Sequence, residues 1–485
     1  MDASLIDRLA QANVLVLGDV ILDRFVEGKV TRVSREAPVP VLKFRTSRAH
    51  MGGACNVAAN LLAYGASVIL VGICGTDDAA DELAALAAGF RRLDARLLPD
   101  SGRQTTVKTR YVSGWQQLLC VDAEDTHPLP EPLRRQLVET SRQAIAPSKA
   151  LVLSDYGRGT LAADTIKTLI TDAQHARIPI VVDPRHADPA VFAGASVVTP
   201  NTAEMEAFTG IAVDTAEAAV RACNLVLDRA DIGAVLLTRG AGGMTLCERG
   251  KPPLHIAAET RRVYDVSGAG DTVVATIAAA IAAGALLADA VRLANTAAGI
   301  AVAKPGTATV DPEELRRAMG LSPASDIALG RAEAAERVAE WRRSGLRVGF
   351  TNGCFDLLHR GHLHSLAQAS RRVDRLIVGI NSDASTRRLK GEGRPVQDAA
   401  TRAALLSATR FVDGVVVFEE DTPEALIRAI VPDVIFKGED YLGQDVPGAA
   451  FIRERGGAVE FLPLLSGYST TATVERLQKK VTRDA

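Results

Sequence analysis

One rhythm, run twice, constrains this chain more than any other feature. Short apolar runs follow one another through the first 320 residues: NVLVLGD (13–19), SVILVGICG (67–75), ALVLSD (150–155), IPIVVDP (178–184), ASVVTPN (195–201) and AVLLTRG (234–240). Several end in Gly, Asp or Asn. Amphipathic segments such as DDAADELAALAAGF (77–90) and AADTIKTLITDAQHA (162–176) lie between them. Such runs read as buried strands, and the intervening helices make the sheet mostly parallel, with ligands expected at the carboxyl ends of the strands. The pattern breaks into turn formers at MGLSPASDIALG (319–330), passes through a charged helix RAEAAERVAEWRRSG (331–345), and restarts with LRVGFTNG, DRLIVGINSD, GVVVFEE and DVIFKGED. A length of 485 residues exceeds what one core usually supports. The expected fold is α/β throughout: a doubly wound sheet over 1–320, a linker and helix over 321–345, and a smaller Rossmann-like domain over 346–485.

One segment departs from the rhythm. GKVTRVSREAPVPVLKFR (28–45) alternates like exposed strands and is interrupted by two prolines. It reads as a β-lid projecting from the sheet and as a contact in a homodimer. The alanine-rich VVATIAAAIAAGALLADA (273–290) is too short for a membrane span and reads as a buried helix. A net charge of −2 gives no footprint for nucleic acid or an anionic membrane, so small molecules are the expected partners. Six scattered cysteines without a CxxC pair argue against a disulfide framework or zinc site and fit a reducing cytoplasm. The first residues carry acids and do not read as a signal peptide.

The strongest chemical signal in the first half is YDVSGAGDTVVATIAAAI (264–281). Gly268, Ala269 and Gly270 form a tight turn at the start of a helix, where free N–H groups and the positive dipole end bind phosphate. Asp271 then stands where a carboxylate can take a proton from an attacking hydroxyl; the plainer reading is a first-turn acid after a glycine turn. GDVILDRF (18–25) places Asp19 and Asp23 after the first strand, as acceptors for sugar hydroxyls. MGGACNVAANLLAYG (51–65) adds Gly52, Gly53 and Asn56 in a loop open to close approach. Lys108 and Arg110 in TTVKTRYVSGWQQ (105–117) either bind a phosphate already on the sugar or line a solvated strand face.

With TPNTAEME (199–206) and LTRGAGGM (237–244) these pieces stand in an order that resembles the ribokinase-like carbohydrate kinases over about 310 residues. The resemblance implies that Asp271 is the general base and Gly268 to Gly270 the anion hole. It implies that Asn201 and Glu204 act around the ATP phosphates and Mg²⁺, which comes with ATP near Glu204 without a dedicated protein site. Thr238, Arg239 and Gly240 would line the nucleotide site, and Asp19, Asp23, Gly52, Gly53 and Asn56 would hold the sugar.

In the second half, TNGCFDLLHRGHLHSL (351–366) packs three histidines into six positions. His359 and His362 are three apart and share a face on a first helical turn. His364 points elsewhere, and no suitably spaced Cys or acid completes a zinc site. A cradle for the α-phosphate and its pyrophosphate leaving group fits better than metal ligation or a structural role, and no protein nucleophile is required if the acceptor is itself a phosphate. NGCFDLLHRGH, VGINSD, LKGEGRP, FKGEDY and GYSTTATVERL resemble, in order, the HxGH nucleotidyltransferases of the cytidylyltransferase type. By that likeness Asn352, Gly353, Phe355, Asp356, Lys390, Lys437, Ser469, Thr470 and Thr471 hold nucleotide or phosphates. The YSTT loop departs from a serine-rich version ending in arginine, so roles within it stay open.

The order of the two parts resembles the bifunctional bacterial heptose 7-phosphate kinase/heptose 1-phosphate adenylyltransferases, which make ADP-heptose for the lipopolysaccharide inner core. That likeness implies a 1,7-bisphosphate product from the kinase and a separate phosphatase between the two steps. Two other readings remain at this level: a different sugar kinase fused to a cytidylyltransferase, and an inactive sugar or nucleotide sensor.

Overall fold

The computed structural model describes residues 3–114, 116–259, 263–304, 306–319, 321, 328–343, 346–409, 411–463 and 465. The chain divides into two compact units, Met1–Leu321 and Ser322–Ala485.

In the first unit the strands run β1 (Asn13–Gly18), β2 (Val20–Val33), β3 (Pro40–Gly53), β4 (Ser67–Cys74), β5 (Leu93–Pro99), β6 (Val107–Ser113), β7 (Gln116–Ala123), β8 (Ala150–Ser154), β9 (Ile180–Asp183), β10 (Val197–Val198), β11 (Ala234–Thr238), β12 (Met244–Glu248) and β13 (Leu254–Ile256). Nine of them form one sheet in the order β13-β12-β11-β10-β9-β8-β1-β4-β5. It is parallel except at β12, which pairs antiparallel with both neighbours. Alternate residues of one strand enter opposite layers. Val14 and Val16 join one core cluster and Leu15 and Leu17 the other, as do Val152 and Leu153. Burial on both faces is why these strands read as unbroken apolar runs. Helices Ala54–Ala63, Ala269–Ala282 and Leu287–Ala301 cover one face, and Glu131–Ile145, Ala163–His175 and Ala216–Arg229 the other.

From β1 the chain winds one way to β4 and β5, then returns to the other side through β8, β9, β10 and β11. The carboxyl ends of β1 and β8 therefore flank the point where strand order reverses, the usual place for a ligand crevice.

The segment expected as a lid is one. β2 and β3 pair antiparallel over Val20–Val33 and Pro40–Gly53, and β6 and β7 complete a separate sheet ordered β3-β2-β6-β7. The lid is thus larger than residues 28–45 suggested, because β6 and β7 belong to it. The apolar stretch 273–290 is two helices rather than one: it is interrupted at Ala283–Leu286, with Gly284 at φ 82°.

The second unit adds β14 (Ala328–Leu329), β15 (Val348–Gly353), β16 (Arg375–Asn381), β17 (Gly414–Phe418), β18 (Val434–Gly438) and β19 (Ala458–Leu462), ordered β14-β17-β16-β15-β18-β19 and parallel throughout. Order reverses at β15, between β16 and β18. In the stretch expected as a linker and helix, 321–345, lie the edge strand β14 and the helix Arg331–Arg343, whose Ala334 and Val338 enter the core. From Ser322 onward this stretch falls in the second unit. Among the described residues no helix is long and apolar enough to cross a membrane.

Candidate active sites of the two units

The first site sits at the β1/β8 switch point. Helix Ala269–Ala282 begins at Gly268, whose φ of 75° favours glycine and whose Cβ would come within 2.7 Å of Asn56 Nδ2. That close approach lets the Asn56 amide donate to Asp271 Oδ2 at 2.7 Å, while the Tyr156 hydroxyl donates to Oδ1 at 2.5 Å. Asp271 is 4% exposed. Burial pushes its carboxyl up to about 6, against the two hydrogen bonds and with the nearby Asp23 charge assisting the rise. A carboxyl tuned to that range can exchange protons near neutral pH.

Beside it lies a cavity of about 310 Å³ lined by Lys108, Tyr156, Asp183, Arg185, Asn201, Glu204, Thr238 and Gly270, among others. Asn201 caps helix Thr202–Thr209 and forms a reciprocal capping box with Glu204. This fixes the Glu204 carboxylate 3.5 Å from Arg185. Burial raises the pKa of Glu204, and raises that of Asp183 well above the carboxylate range, with Asp271, Glu204 and Asp155 repelling its charge. The wall is therefore mixed, with the carboxyl groups of Asp155, Asp183 and Glu204 beside the cations Lys108, Arg158 and Arg185.

Three expectations need correction, at Asp19, Arg110 and Asn56. Asp19 is 1% exposed, and its carboxylate accepts from the backbone N–H of Tyr156 (2.8 Å), Arg158 (3.0 Å) and Thr160 (3.2 Å). It is committed to the loop after β8 and not to sugar hydroxyls. Arg110 donates to Asp23 Oδ1 at 2.7 Å with both side chains nearly enclosed, so it pairs a carboxylate instead of standing free for a phosphate. Lys108 borders the cavity and pairs with Asp122 at 3.1 Å. Asp23 lies between its strand neighbours His50 on β3 and Lys108 on β6. A Cβ at Gly52 would meet its carboxylate at 2.7 Å, and one at Gly53 would meet Asp19 O at 2.5 Å. Asn56 is 1% exposed and serves Asp271 rather than the expected sugar. Thr238 borders the cavity, whereas Arg239 turns back to Gly242 O in the turn that includes Gly240.

Tyr156, Asp183, Arg158 and Arg185 were not singled out from the sequence. The available signal was SDYGRG and VVDPR at the ends of apolar runs, the position where parallel strands present ligand groups.

The second site forms at the β15 switch point. His359 is the N-cap of helix Arg360–Ser370, and its Nδ1 accepts from the His362 N–H at 3.3 Å. The two rings stack with centroids 3.8 Å apart at 13°. Phe355, held at φ 47°, sets its ring 5.0 Å from His362, and a Cβ at Gly353 would lie 3.2 Å from the Phe355 ring. Burial first, and the neighbouring His359, push the His362 imidazole down to about 4. Burial also lowers His359. The pair is therefore neutral near pH 7 and can offer hydrogen bonds rather than positive charge. His362 Nδ1 is buried with no hydrogen-bond partner among the described residues. His364 is exposed.

Lys437 on β18 donates to Asn352 Oδ1 at 2.7 Å and stands 4.8 Å from the centre of the Tyr441 ring. Burial pushes its ammonium down to about 8. Asp356 is corrected: it is 5% exposed and accepts from Arg394, from Val396 N at 2.6 Å and from Gln397 N at 3.3 Å. A carboxylate so occupied does not bind phosphate; it ties the 394–397 loop to the histidine loop. Arg402, not anticipated from the sequence, completes that tie. It donates to Cys354 O (2.6 Å), Gln397 O (3.0 Å) and Asp383 Oδ1 (2.7 Å). Lys390 is exposed at the end of helix Asp383–Lys390. Ser469, Thr470 and Thr471 lie outside the described residues. Among the described residues no three His, Cys, Asp or Glu side chains converge on a metal-sized site.

Comparisons with known proteins agree with this division. The pfkB family carbohydrate kinase profile matches residues 11–314, and the cytidylyltransferase-like profile matches 350–457. Arabidopsis thaliana ribokinase, solved with ribose and ATP, superposes with a TM-score of 0.52 at 18% identity, covering 64% of this chain and 99% of its own. Escherichia coli phosphofructokinase-2, solved with substrates and products, gives 0.54 at 19%, with the same coverage. At those identities the likeness is one of fold. The bifunctional protein HldE of Rhodospirillum rubrum is 46% identical over 478 residues, 98% of this chain and 96% of the relative. That of Pseudomonas aeruginosa is 46% identical over 479 residues, 98% of each. The chain belongs to the HldE family of bifunctional proteins, a pfkB-family carbohydrate kinase joined to a cytidylyltransferase-like domain.

Proposed function

We infer that this enzyme carries out two steps of ADP-heptose synthesis. Its first unit phosphorylates D-glycero-β-D-manno-heptose 7-phosphate at C1, using ATP, to give the 1,7-bisphosphate. Its second unit transfers AMP from ATP to heptose 1-phosphate, giving ADP-heptose and pyrophosphate. The observation that carries the reading is the pairing, in one chain of this family, of a buried carboxylate at a helix N-terminus with a stacked histidine pair at a second strand switch point.

In the first step Asp271 accepts the C1 hydroxyl proton as that oxygen attacks the γ-phosphorus and ADP leaves. The start of helix Ala269–Ala282 faces the transferred phosphoryl group. Glu204 and Asp183 are hard oxygen donors at the cavity wall that would hold Mg²⁺ brought in with ATP, where the ion would neutralise charge on the triphosphate. Asp23 receives sugar hydroxyls. Lys108, Arg158 and Arg185 give the cavity the positive charge that a sugar already carrying a distal phosphate needs. In the second step an oxygen of the sugar 1-phosphate attacks the α-phosphorus directly. His359 and His362 donate to the oxygens where charge grows, and Lys437 holds the nucleotide phosphates.

A homodimer formed through the lid agrees with its exposed Phe44 (64%), Leu119 (56%) and Val121 (44%), and light scattering of the purified chain measures it. Six free cysteines agree with work in a reducing cytoplasm. The function is tested by incubating the protein with ATP and a panel of sugar phosphates, then mass analysis. A heptose bisphosphate, and ADP-heptose from added heptose 1-phosphate, are expected. Turnover of unphosphorylated sugar alone, or CTP replacing ATP in the second step, would contradict it.

A further inference from the structure

We propose that Tyr156 is a positioning residue for phosphoryl transfer, its hydroxyl and the Asn56 amide together fixing the Asp271 carboxylate in its ionised form. The proposal rests on Asp271 being the kinase base.

The geometry is built outward from the sheet. Asp19, at the end of β1, binds the N–H groups of Tyr156, Arg158 and Thr160 and so pins the loop that follows β8 across the strand switch. The pinned loop carries the Tyr156 side chain to the cavity wall, with its hydroxyl 2.5 Å from Asp271 Oδ1. Asn56, from helix Ala54–Ala63, reaches the other oxygen at 2.7 Å. Each oxygen keeps a second lone-pair direction, so a sugar hydroxyl can still be accepted.

Burial first, and then the like charge of Asp23 on β2, oppose the ionisation of Asp271. Of the other titratable groups around it, Asp183 at the end of β9 is itself held protonated by burial and by the Asp271 charge, and Cys55 on helix Ala54–Ala63 is a buried thiol. The donors from Tyr156 and Asn56 work against burial and the Asp23 charge. Tyr156 holds its own proton, because burial and the Asp271 charge push its phenol well above the ordinary tyrosine value. It therefore serves as a fixed donor and not as an alternative base. The placement of Asp19, Tyr156 and Asp271 in one chain of contacts also explains why an acid at the end of β1 belongs to this site without touching sugar.

The test is the pH profile of kcat/KM for phosphorylation in Tyr156→Phe, which removes one oxygen and keeps the ring. Loss of a hydrogen bond to a charged group should raise the acidic limb, lowering kcat/KM about tenfold at its acidic end while the curves converge at high pH. Convergence also demonstrates that the site is folded. A profile that superimposes on the parent, or a drop of equal size at every pH, would overturn the proposal. Asp271→Asn separates the two readings. Near-normal phosphorylation in that variant removes the base assignment and this inference with it. An inactive Asp271→Asn beside an unshifted Tyr156→Phe profile removes the role of Tyr156 alone.

Discussion

Replacing Arg402 by methionine probes how the second site is built. The guanidinium is fully enclosed, with 0% of the side chain exposed, and donates to two carbonyls and one carboxylate. The carboxylate, Asp383, is 39% exposed, so water replaces the lost donor there and little stability goes with it. The carbonyls of Cys354 and Gln397 belong to the two loops that Asp356 also joins, and each loses its donor at a cost of about 1–3 kcal/mol. Methionine fills most of the volume and leaves no new charge. The sum is about 3 kcal/mol, the low end for breaking a buried charged contact. With a urea dependence of about 2 kcal/mol/M, the unfolding midpoint of the second unit should fall by about 1.5 M. A Trp115→Phe background leaves Trp341, in helix Arg331–Arg343, as the chain's one tryptophan and a reporter of this unit. Because Cys354 and His359 share a loop, kcat for adenylyl transfer should fall at least about tenfold, within the range one misplaced donor produces. Phosphorylation should be unchanged. A midpoint shift under about 0.3 M together with normal adenylyl transfer would refute the clasp.

Three further outcomes follow from the two sites. His359→Ala and His362→Ala should each lower kcat for adenylyl transfer by about 10²–10³-fold without touching phosphorylation; a trapped nucleotidyl-histidine would contradict direct transfer. Lys437 is a cation below about pH 8 and neutral above it, so KM for ATP in adenylyl transfer should rise as pH passes from 7 to 9, and a flat KM would exclude its phosphate contact. Gly268→Ala forces a Cβ toward Asn56 Nδ2 at a φ of 75°, with backbone strain of about 1–2 kcal/mol. Phosphorylation kcat should drop about tenfold or more, since the displaced amide no longer holds Asp271, and a variant with parental kcat would show that this amide is dispensable.

Legibility in the sequence followed what each signal reports. Strands such as NVLVLGD and DRLIVGINSD were readable because residues buried on both faces leave long apolar runs. Asp271 and the histidine pair were readable because glycine turns and helix starts are local in sequence. Partners were not. The acid at Asp19 carried no mark that its lone pairs were taken by N–H groups more than 130 residues away. Arg110 looked free until β6 paired with β2 and brought it to Asp23. The same holds for Asp356, whose partners begin 38 residues on. The lid was underestimated because β6 and β7, already quoted for their basic residues, join β2 and β3 only through a long-range parallel pairing. One helix was expected in the alanine-rich stretch 273–290 because periodicity does not register a chain reversal made by Gly284.

The central claim is that one chain holds two separate catalytic sites, with Asp271 serving only the first. The most direct test measures both half-reactions in Asp271→Asn, with heptose 7-phosphate and heptose 1-phosphate supplied separately. Phosphorylation should fall by about 10²–10⁴-fold, the contribution of a general base, while adenylyl transfer keeps its parental rate. Near-parental phosphorylation, or a matching loss of adenylyl transfer, would contradict the account.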